Sequence, residues 1–395
     1  MEPDLRYTIR SLGEDELEDM LELTSLSYNS SVEAFRGIYE KDPFYSFELT
    51  RVAEHKGSLI SYMRAAPRTI WIGSGRMRMG GIAEVCTHPR YRKMGIASRL
   101  LRDIILLMKD RGYPVSMLYG NPAFYGKIGW ERCSIVHELR VNRTSLPRSS
   151  GPGLREFEDG DLPGVMSLYD GTYSRRSCAM VRNKCHWTGR VLRRTRVKVL
   201  DDGKAYAGVD LRDRKDGEYR RRVLYVQEAG YADQDAAHGL VSGLADFEEY
   251  DLLEYHGVPG DAMLSALSIP GASVNIGWGG MFRVNDVWAT LNALSDTVKG
   301  GGSLVLRVRD EVVGENNGEF TLHSREDGLM AERGAGSREW IELDIGALSQ
   351  LVPGLYTPSQ LARMGRIVCS SGEALRIGDR IFPQRHPFQP TIDHF

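Results

Sequence analysis

Hydrophobic and polar positions in the N-terminal region predict a strand, a helix and three further strands. Leu5–Arg10 is a plausible strand, and the apolar residues of Glu14–Tyr28 recur near helical spacing behind an acidic first turn that complements the helix dipole. Extended stretches follow at Phe47–Glu54, Leu59–Arg68 and Met77–Thr87, and short turn sequences separate them. We therefore expect this region to form a mixed sheet flanked by helices.

The hydrophobic pattern changes twice more along the chain. Pro147–Gly153 is rich in proline, serine and glycine and is typical of a linker. Beyond it, Tyr206–Arg212 and Arg222–Ala229 have the pattern of hairpin strands, and a helix is predicted from about Asp235 to Glu249. From about Met281 the chain reads as a helix followed by alternating strands. We expect the α/β (α+β) class and three domains, at residues 1–150, 151–283 and 284–395.

Composition is typical of a globular protein with sizeable cores. The 395 residues are 42% hydrophobic and 26% charged, and at about 100–200 residues per domain this length exceeds one compact core. The formal net charge is −2, which excludes the strongly basic body that non-specific nucleic-acid binding needs. The five cysteines are widely spaced without a C-x-x-C pair, which favours a reducing, cytoplasmic compartment over a disulfide scaffold.

Three stretches could suggest other classes of protein. The uncharged stretch Ala262–Phe282 is long enough to span a bilayer, but it contains a proline and four glycines, so we interpret it as a buried strand-and-loop passage and expect no membrane partner. Residues 171–200 hold nine Lys and Arg and no acid; without interleaved aromatics for stacking, this pattern favours a solvated or inter-subunit helix over a nucleic-acid face. Cys185-His186 has no partner at metal-ligand spacing, so we expect no metal site.

Charge is strongly segregated within the first predicted domain. Residues 1–60 hold 6 Lys and Arg against 13 Asp and Glu, a net charge of −7, whereas residues 84–148 hold 12 against 5, a net charge of +7. Within the basic part, Arg92–Ala97 lies where a strand gives way to a helix. Unpaired N–H groups at a helix N-terminus lie at the positive end of its dipole, and a small residue such as Gly95 lets a pyrophosphate approach the main chain. The junction is a candidate phosphate-binding loop, and a plain strand-to-helix turn with a basic cap is the alternative.

The stretch from Gly81 to Leu101 resembles the signature of the GNAT acetyltransferases, whose Arg/Gln-x-x-Gly-x-Gly/Ala loop binds the pyrophosphate of acetyl-coenzyme A (acetyl-CoA). Here the loop reads Arg92-Lys-Met-Gly-Ile-Ala97, with Ala97 where many members have glycine. In that family the strand before the loop parts from its neighbour and hydrogen-bonds the pantetheine arm through its main chain. The resemblance implies acetyl-CoA as cosubstrate, held by Val85, Cys86, Thr87, Arg92, Lys93, Met94, Gly95, Ile96, Ala97, Ser98, Gly120 and Asn121.

A second motif follows the short predicted strand Val115–Tyr119 and reads Asn121-Pro-Ala-Phe-Tyr-Gly-Lys-Ile-Gly-Trp130. Asn121 is a good N-cap and Pro122 a good first helical residue, so Tyr125 should lie in the first turn of a short helix. The motif resembles the Phe-Tyr-x-Lys-x-Gly-Phe/Trp element of the same family, in which the tyrosine hydroxyl lies beside the coenzyme sulfur. A phenol with a pKa of about 10 can protonate a departing thiolate, so the resemblance implies Tyr125 as general acid, with a packing aromatic as the alternative.

The rest of the chain extends the resemblance to the Eis (enhanced intracellular survival) family of bacterial N-acetyltransferases. The second domain resembles another acetyltransferase domain, but its loop, Gly230-Tyr-Ala-Asp-Gln-Asp235, is acidic and should repel pyrophosphate. Residues 284–395 resemble a sterol-carrier-like domain. In that family the terminal carboxylate is the general base, which implies the carboxylate of Phe395 opposite Tyr125. The resemblance also implies small polycationic amine acceptors, such as aminoglycosides or polyamines, and a homohexamer.

Some roles and functions stay open on sequence alone. Glu84 precedes the thioester-binding residues and could anchor the amine or replace Phe395 as base. Phe35 and Tyr39, beside the acidic N-terminal helices, could line the acceptor pocket, and His394 completes the expected substrate-binding set. The alternatives to a small-molecule acetyltransferase are a protein lysine acetyltransferase, a lipid carrier or coenzyme-binding scaffold, and a nucleic-acid binder.

Overall fold

The computed structural model describes residues 5–148, 151–216, 219–247, 250–294, 302–325 and 328–395. They divide into two compact units. The first unit holds the chain up to Cys133, Gly280–Gln384 and Phe395, and the second holds Ser134–Gly279 and Arg385–His394. This division differs from the predicted boundaries after residues 150 and 283, because residues 135–142 pair within the second unit and residues 281–284 pair within the first. Residues 149 and 150 of the predicted linker lie outside the described residues.

The larger sheet of the first unit has seven strands, of which one neighbouring pair is parallel. In sheet order they are β1 (Thr8–Arg10), β2 (Thr50–His55), β3 (Ser58–Ile72), β4 (Gly75–Thr87), β5 (Val115–Leu118), β14 (Met281–Val284) and β6 (Glu131–Arg132). Its helices are α1 (Leu17–Tyr28), α2 (Val32–Lys41), α3 (Ile96–Asp110) and α4 (Pro122–Tyr125). The apolar face of α3, including Leu100, Ile104 and Met108, is fully buried in the core of this sheet. The predicted strands and the helix at Glu14–Tyr28 form in the predicted order, and α2 is an additional helix between that helix and β2.

The smaller sheet of the first unit has five strands. In sheet order they are β17 (Gly328–Arg333), β16 (Gly318–Arg325), β15 (Gly302–Arg309), β18 (Trp340–Asp344) and β19 (Val368–Cys369). The helices of this region are α10 (Val287–Ala293), α11 (Ile345–Leu351), α12 (Pro358–Arg363) and α13 (Gly372–Ile381). The helix predicted to begin near Met281 begins only at Val287, because Met281–Val284 pairs with β5 as a strand and Asp286 then caps the helix through the N–H of Ala289, at 2.9 Å.

The second unit is built on another seven-stranded sheet with one parallel pair. In sheet order its strands are β13 (Ser273–Trp278), β7 (Ile135–Asn142), β12 (Leu252–Gly257), β11 (Tyr219–Tyr231), β10 (Ala205–Asp216), β9 (Arg196–Leu200) and β8 (Leu154–Glu156). Its helices are α5 (Leu162–Tyr173), α6 (Lys184–His186), α7 (Leu192–Arg194), α8 (Gln234–Phe247) and α9 (Ala262–Leu267), with a π-helical turn at Trp187–Val191 between α6 and α7. The predicted α/β (α+β) class is therefore confirmed.

Two predictions about the second unit are wrong. The basic stretch 171–200 is not one solvated helix. Arg182 and Arg190 are buried, because Arg182 pairs with the Glu228 carboxylate and Arg190 donates to the carbonyl of His394. The exposed basic residues of the stretch are Arg175, Lys184, Arg193, Arg194 and Arg196. The stretch Ala262–Phe282 is not buried throughout, since β13 is an edge strand and its Ile276 is 75% exposed. Among the described residues, no helix is both long and apolar enough to cross a membrane.

Candidate active site

A cleft opens in the first unit where β4 and β5 part. The two strands pair in parallel from Met79–Val115 to Gly81–Met117, and β4 then continues to Thr87 without β5 beside it. The cleft has a volume of about 750 Å³. All the expected coenzyme-contact residues except Met94 line it: Val85, Cys86, Thr87, Arg92, Lys93, Gly95, Ile96, Ala97, Ser98, Gly120 and Asn121. Met94 is instead 40% exposed on the surface.

The N-terminus of α3 borders this cleft and has no side-chain cap of its own. Gly95 is the N-cap residue and has a φ of +78°, a conformation that glycine adopts without steric cost. A β-carbon added at Gly95 would meet no atom within 4 Å, so the space in front of the helix is open. The Arg92 guanidinium donates to the carbonyls of Thr87 and Ser27, each at 3.1 Å. Arg92 therefore braces the loop, and the first turn of α3 presents backbone N–H groups to the cleft.

Tyr125 lies in the same cleft, in a short helix that forms as predicted. The Asn121 side chain accepts a hydrogen bond from the N–H of Ala123 at 2.9 Å, and Pro122 is the first helical residue. The Tyr125 ring packs against Gly120, where a β-carbon would lie only 2.3 Å from the ring. Burial raises the pKa of Tyr125, so its hydroxyl keeps its proton at neutral pH. The geometry gives the cleft a protonated phenol and thus a potential proton donor.

The wall formed by β4 contains contacts that the sequence did not reveal. The Tyr28 hydroxyl donates to the carbonyl of Val85 at 3.1 Å, and Ser27, Tyr91 and Phe124 also line the cleft. These residues come from α1, the loop before α3 and α4, so no single motif contains them. An aromatic residue at the last position of a predicted helix was the only signal available for Tyr28. Sequence reasoning therefore found the loop and the strand but missed the aromatic side of the cleft.

The expected acceptor residues Glu84 and Tyr39 belong to a buried ionic cluster beside the cleft. The Glu84 carboxylate accepts hydrogen bonds from Arg64 and from the Tyr39 hydroxyl, the latter at 3.2 Å. Asp42 pairs with Arg64 at 3.0 Å and with Arg68 at 2.9 Å. Burial alone would raise the pKa of Asp42, but Arg68 and Arg64 hold that pKa well below its usual range. These two acids are therefore neutralised internally.

The remaining acceptor candidates lie in different surroundings. Phe35 packs against Tyr28, with ring centroids 5.7 Å apart. His394 belongs to the second unit, where its carbonyl accepts hydrogen bonds from Arg190 and, at 3.3 Å, from Arg194. Burial lowers the pKa of His394 to about 4, so its imidazole is neutral at pH 7.

The C-terminal residue belongs to the first unit. The Phe395 ring lies against β4 at Gly81, where a β-carbon would come within 2.6 Å of the ring. It also faces the Tyr119 ring, with centroids 5.9 Å apart. Gly81 is the last residue of β4 that pairs with β5. The terminal residue thus lies at the point where the two strands begin to part.

The second unit contains a similar parting of parallel strands. Here β11 and β12 pair up to Val226–Tyr255, and β11 then continues to Tyr231. The helix that follows, α8, is capped by Asp233, which accepts a hydrogen bond from the N–H of Ala236 at 2.8 Å. A carboxylate therefore occupies the position at which α3 presents N–H groups, and an anion there would meet a negative charge.

A buried ionic cluster also occupies β11 beyond this parting. Arg182 donates to Glu228 at 2.9 Å and to Asp393 at 2.8 Å, and all three side chains are fully buried. The Tyr206 hydroxyl donates to Glu228 at 2.8 Å. The strand beyond the parting is thus engaged by side chains of the second unit itself.

Comparisons with known proteins identify two regions. Residues 8–133 match the acetyltransferase (GNAT) domain, and residues 289–390 match the sterol carrier protein domain. The uncharacterised N-acetyltransferase YhbS of Escherichia coli K12 is 24% identical over 130 residues, which cover 33% of this chain and 74% of YhbS.

Solved structures resemble the chain over nearly its full length. A GCN5-related N-acetyltransferase from Anabaena variabilis has a TM-score of 0.86 and 21% identity, covering 99% of this chain and 100% of its own. Eis1 from Mycobacterium abscessus has a TM-score of 0.76 and 19% identity, covering 98% of this chain and 100% of its own. At these identities the two structures establish a shared fold.

Proposed function

We propose that this chain, a GNAT-type N-acetyltransferase with the fold seen in Eis1, transfers the acetyl group of acetyl-CoA to an amine of a small polycationic acceptor. The observation that carries the proposal is the cleft between β4 and β5, which ends at the uncapped N-terminus of α3.

The cleft suits coenzyme A in both shape and charge. Its pyrophosphate would accept hydrogen bonds from the first turn of α3 at Gly95–Ser98, where the helix dipole favours an anion. Its pantetheine arm would lie along Val85–Thr87, the part of β4 that has no β5 neighbour. The volume of about 750 Å³ lies within the range of about 300–1,000 Å³ that is usual for ligand pockets.

The chemistry needs one base and one acid. The base takes one proton from the acceptor's ammonium group, and the neutral nitrogen attacks the thioester carbonyl carbon. The C–S bond then breaks to give the thiol of coenzyme A, and the nitrogen gives up its second proton, which restores the Tyr125 hydroxyl, to give the amide. Tyr125 supplies the proton that the departing sulfur needs, and burial keeps its hydroxyl protonated until then. The N–H of Val85 stabilises the oxyanion that forms on the carbonyl oxygen.

The terminal carboxylate of Phe395 is proposed as the base. The contact of its ring with Gly81 supports this assignment, because it anchors the terminus where the strands part. An ordinary α-carboxyl has a pKa of about 3.5, which is low for a base acting on an ammonium group. The carboxylate therefore acts with the amine held next to it, directly or through one water.

The acceptor class rests on the charge of the first unit. Residues 1–60 have a net charge of −7. An arginine neutralises Asp42 in this segment, but Glu33 and Glu40 stay exposed on α2. An acidic surface attracts polyamines and aminoglycosides over long range. Because the chain resembles the Eis family, we also propose that it forms a homohexamer. The molar mass of the native protein, measured by analytical ultracentrifugation, tests this proposal.

The test measures thiol release from acetyl-CoA with protein that has an untagged C-terminus. The acceptor panel contains aminoglycosides, linear polyamines and lysine peptides. Release with several small polycations and none with peptides supports the proposal. Release with peptides alone points to a protein lysine acetyltransferase, and tight coenzyme binding with no release from any amine reduces the assignment to a coenzyme-binding scaffold.

Two variants test the terminal carboxylate separately. Deletion of Phe395 moves the carboxylate to His394, and Gly81→Ala pushes the aromatic ring away from β4. Both should lower kcat by about 10²-fold and leave the Kd of acetyl-CoA within about threefold, because a positioned base contributes about 10²–10⁴-fold. An unchanged kcat in the deletion variant would remove Phe395 from the mechanism.

A further inference from the structure

Arg64 on β3 and Glu84 on β4 form a buried ion pair beside the cleft. The Arg64 side chain is 2% exposed and that of Glu84 is 9% exposed. Arg64 donates to Glu84 through Nε and through Nη2, the latter at 3.1 Å, and its Nη1 donates to Asp42 at 3.0 Å. The Tyr39 hydroxyl donates to the same Glu84 oxygen that Nε binds. Both oxygens of Glu84 are thus engaged in charge-assisted or phenolic hydrogen bonds.

Glu84 itself has an unusual backbone conformation. The pairing of β3 with β4 changes register here: Tyr62 opposes Cys86 and Arg64 opposes Ala83, so Glu84 and Val85 together oppose a single residue. The φ of Glu84 is +50°, in the left-handed region. That region costs a non-glycine residue about 1–2 kcal/mol, so a bulge with glutamate at this position persists only if other contacts hold it.

We propose that Arg64 and Glu84 form a positioning pair that holds this bulge, and that the bulge sets which main-chain groups of Val85–Thr87 face the thioester. This inference rests on the proposed acetyl transfer. A strand that slips by one residue moves every side chain to the opposite face. Val85 now packs against the core cluster that contains α3, and Cys86 lies in the cluster that contains α1. Without the bulge, the two side chains would exchange these faces of β4, and Cys86 would leave its buried position. The Glu84 carboxylate then affects the reaction by fixing the backbone conformation of the bulge, and it does not act as the base.

Substitutions at position 84 separate the two roles. Glu84→Gly and Glu84→Ala both remove the carboxylate, so a catalytic base predicts equal losses of kcat. A positioning role predicts that Glu84→Gly keeps about tenfold more kcat than Glu84→Ala, because glycine adopts the left-handed conformation without steric cost and about 1.4 kcal/mol corresponds to a factor of ten. Equal kcat in the two variants, or less in Glu84→Gly, would overturn the proposal.

A second experiment reads the position of the strand directly. Cys86 is 4% exposed and burial raises the pKa of its thiol to about 11, so maleimide should not label it in the native protein. In Arg64→Met, we expect labelling of Cys86, identified by peptide mass spectrometry, together with a fall in kcat of about 10²-fold, the cost of misplacing reacting groups by about 1 Å. Cys133 is fully buried in the same unit and reports any global unfolding.

Arg68→Met is the matched control. Arg68 is also buried and shares Asp42 with Arg64, so its loss disturbs the same ionic cluster, while the Arg64–Glu84 pair is kept. It should lower the melting temperature about as much as Arg64→Met, with kcat within about threefold of wild type and Cys86 unlabelled. Labelling of both Cys86 and Cys133 in Arg64→Met, or equal kcat losses in the two arginine variants, would reduce Arg64 to a purely structural role.

Wild-type turnover keeps the two proposals distinguishable. If the wild-type protein releases no thiol with any amine, the proposed function fails and the labelling experiment alone decides whether Arg64 holds the strand. If the wild type is active and Arg64→Met retains full kcat, the proposed function stands and the positioning pair is rejected.

Discussion

Both units contain a strand that parts from its parallel neighbour, but the helix that follows this strand has a free N-terminus in one unit and a capped N-terminus in the other. In each, a hairpin with a register shift leads into a strand that parts from its parallel neighbour and is followed by a helix. In the first unit the helix begins at Gly95, with no side chain to cap it; in the second, the carboxylate of Asp233 already binds the first turn. One helix N-terminus can therefore bind an anion and the other repels it.

The strands beyond the two partings differ just as clearly. In the first unit this part of β4 lines a cleft of about 750 Å³. In the second, Glu228 on β11 is bound by Arg182, which also binds Asp393, and all three side chains are fully buried. The coenzyme site that we propose in the first unit therefore combines this backbone arrangement with a free helix N-terminus and an unfilled cleft.

The largest expected effect comes from removing the one acid that we assign to the first cleft. Tyr125→Phe should lower kcat by about 10²–10⁴-fold, the usual contribution of a general acid, with the Kd of acetyl-CoA unchanged. Because Asp233 caps α8 and the Arg182 cluster engages β11 in the second unit, that unit should supply no residual turnover. Steady-state thiol release and calorimetric binding of acetyl-CoA measure the two quantities, and a kcat within threefold of wild type would show that another group protonates the sulfur.

The next largest effect is expected in the buried ionic cluster that Arg182, Glu228 and Asp393 form in the second unit. Burial alone would raise the pKa of Asp393, but Arg182 holds that pKa well below its usual range. Such a carboxylate stabilises the fold above its unfolded pKa of about 3.9, and this stabilisation is lost as the pH falls toward the lower, folded pKa. Asp393→Asn should therefore cost about 3 kcal/mol at pH 7, as is usual when one partner of a buried pair is removed, and progressively less below about pH 4.

Urea unfolding of wild type and Asp393→Asn at pH 7, 5 and 3.5 checks this prediction. Asp213→Asn serves as control, since Asp213 is exposed on β10. A free-energy difference that does not change between pH 7 and 3.5 would mean that Asp393 stabilises the unit by packing and not by its charge.

A smaller effect is expected when α3 is given the kind of acidic cap that α8 has. Gly95→Asp places a carboxylate at the start of α3 and should weaken acetyl-CoA binding by about 10–100-fold, through repulsion of the pyrophosphate and occupation of its donors. Gly95→Asn is the matched control, because asparagine also tolerates a positive φ and caps without charge. Equal losses in the two variants would assign the effect to capping alone, and no loss in either would place the pyrophosphate elsewhere.

The smallest effect is expected from the reciprocal change in the second unit. Asp233→Ala removes the cap of α8 and should destabilise the protein by about 1 kcal/mol in urea unfolding. It should not alter the Kd or stoichiometry of acetyl-CoA, because the cluster on β11 remains in place. Appearance of a second coenzyme site in this variant would show that the acidic cap alone separates the two units.

The sequence predicts those parts of the site that one continuous segment encodes. The strand-to-helix junction at Gly95 and the helix capped by Asn121 are local motifs whose hydrogen bonds join near neighbours, and both form where expected. The acidic cap at Asp233 is local in the same sense. Helix capping and turn chemistry act over a few residues, so their pattern can be read directly.

The remaining parts depend on contacts between distant segments. The sequence near Arg182 gives no sign that Glu228 and Asp393 will surround it, so an arginine in a stretch that looks solvated is in fact buried. Likewise, we predicted a helix from about Met281, but Met281–Val284 completes the first sheet beside β5. In both cases the outcome depends on pairing with distant segments of the chain, which a single sequence does not report.

The most direct test of the contrast between the two units is the stoichiometry of acetyl-CoA binding, measured by calorimetry on the full chain. We expect one coenzyme per chain, with binding weakened by about 10–100-fold in Gly95→Asp and unchanged in Asp233→Ala. Two coenzymes per chain, or full binding in Gly95→Asp, would contradict the assignment of the coenzyme to the first unit alone.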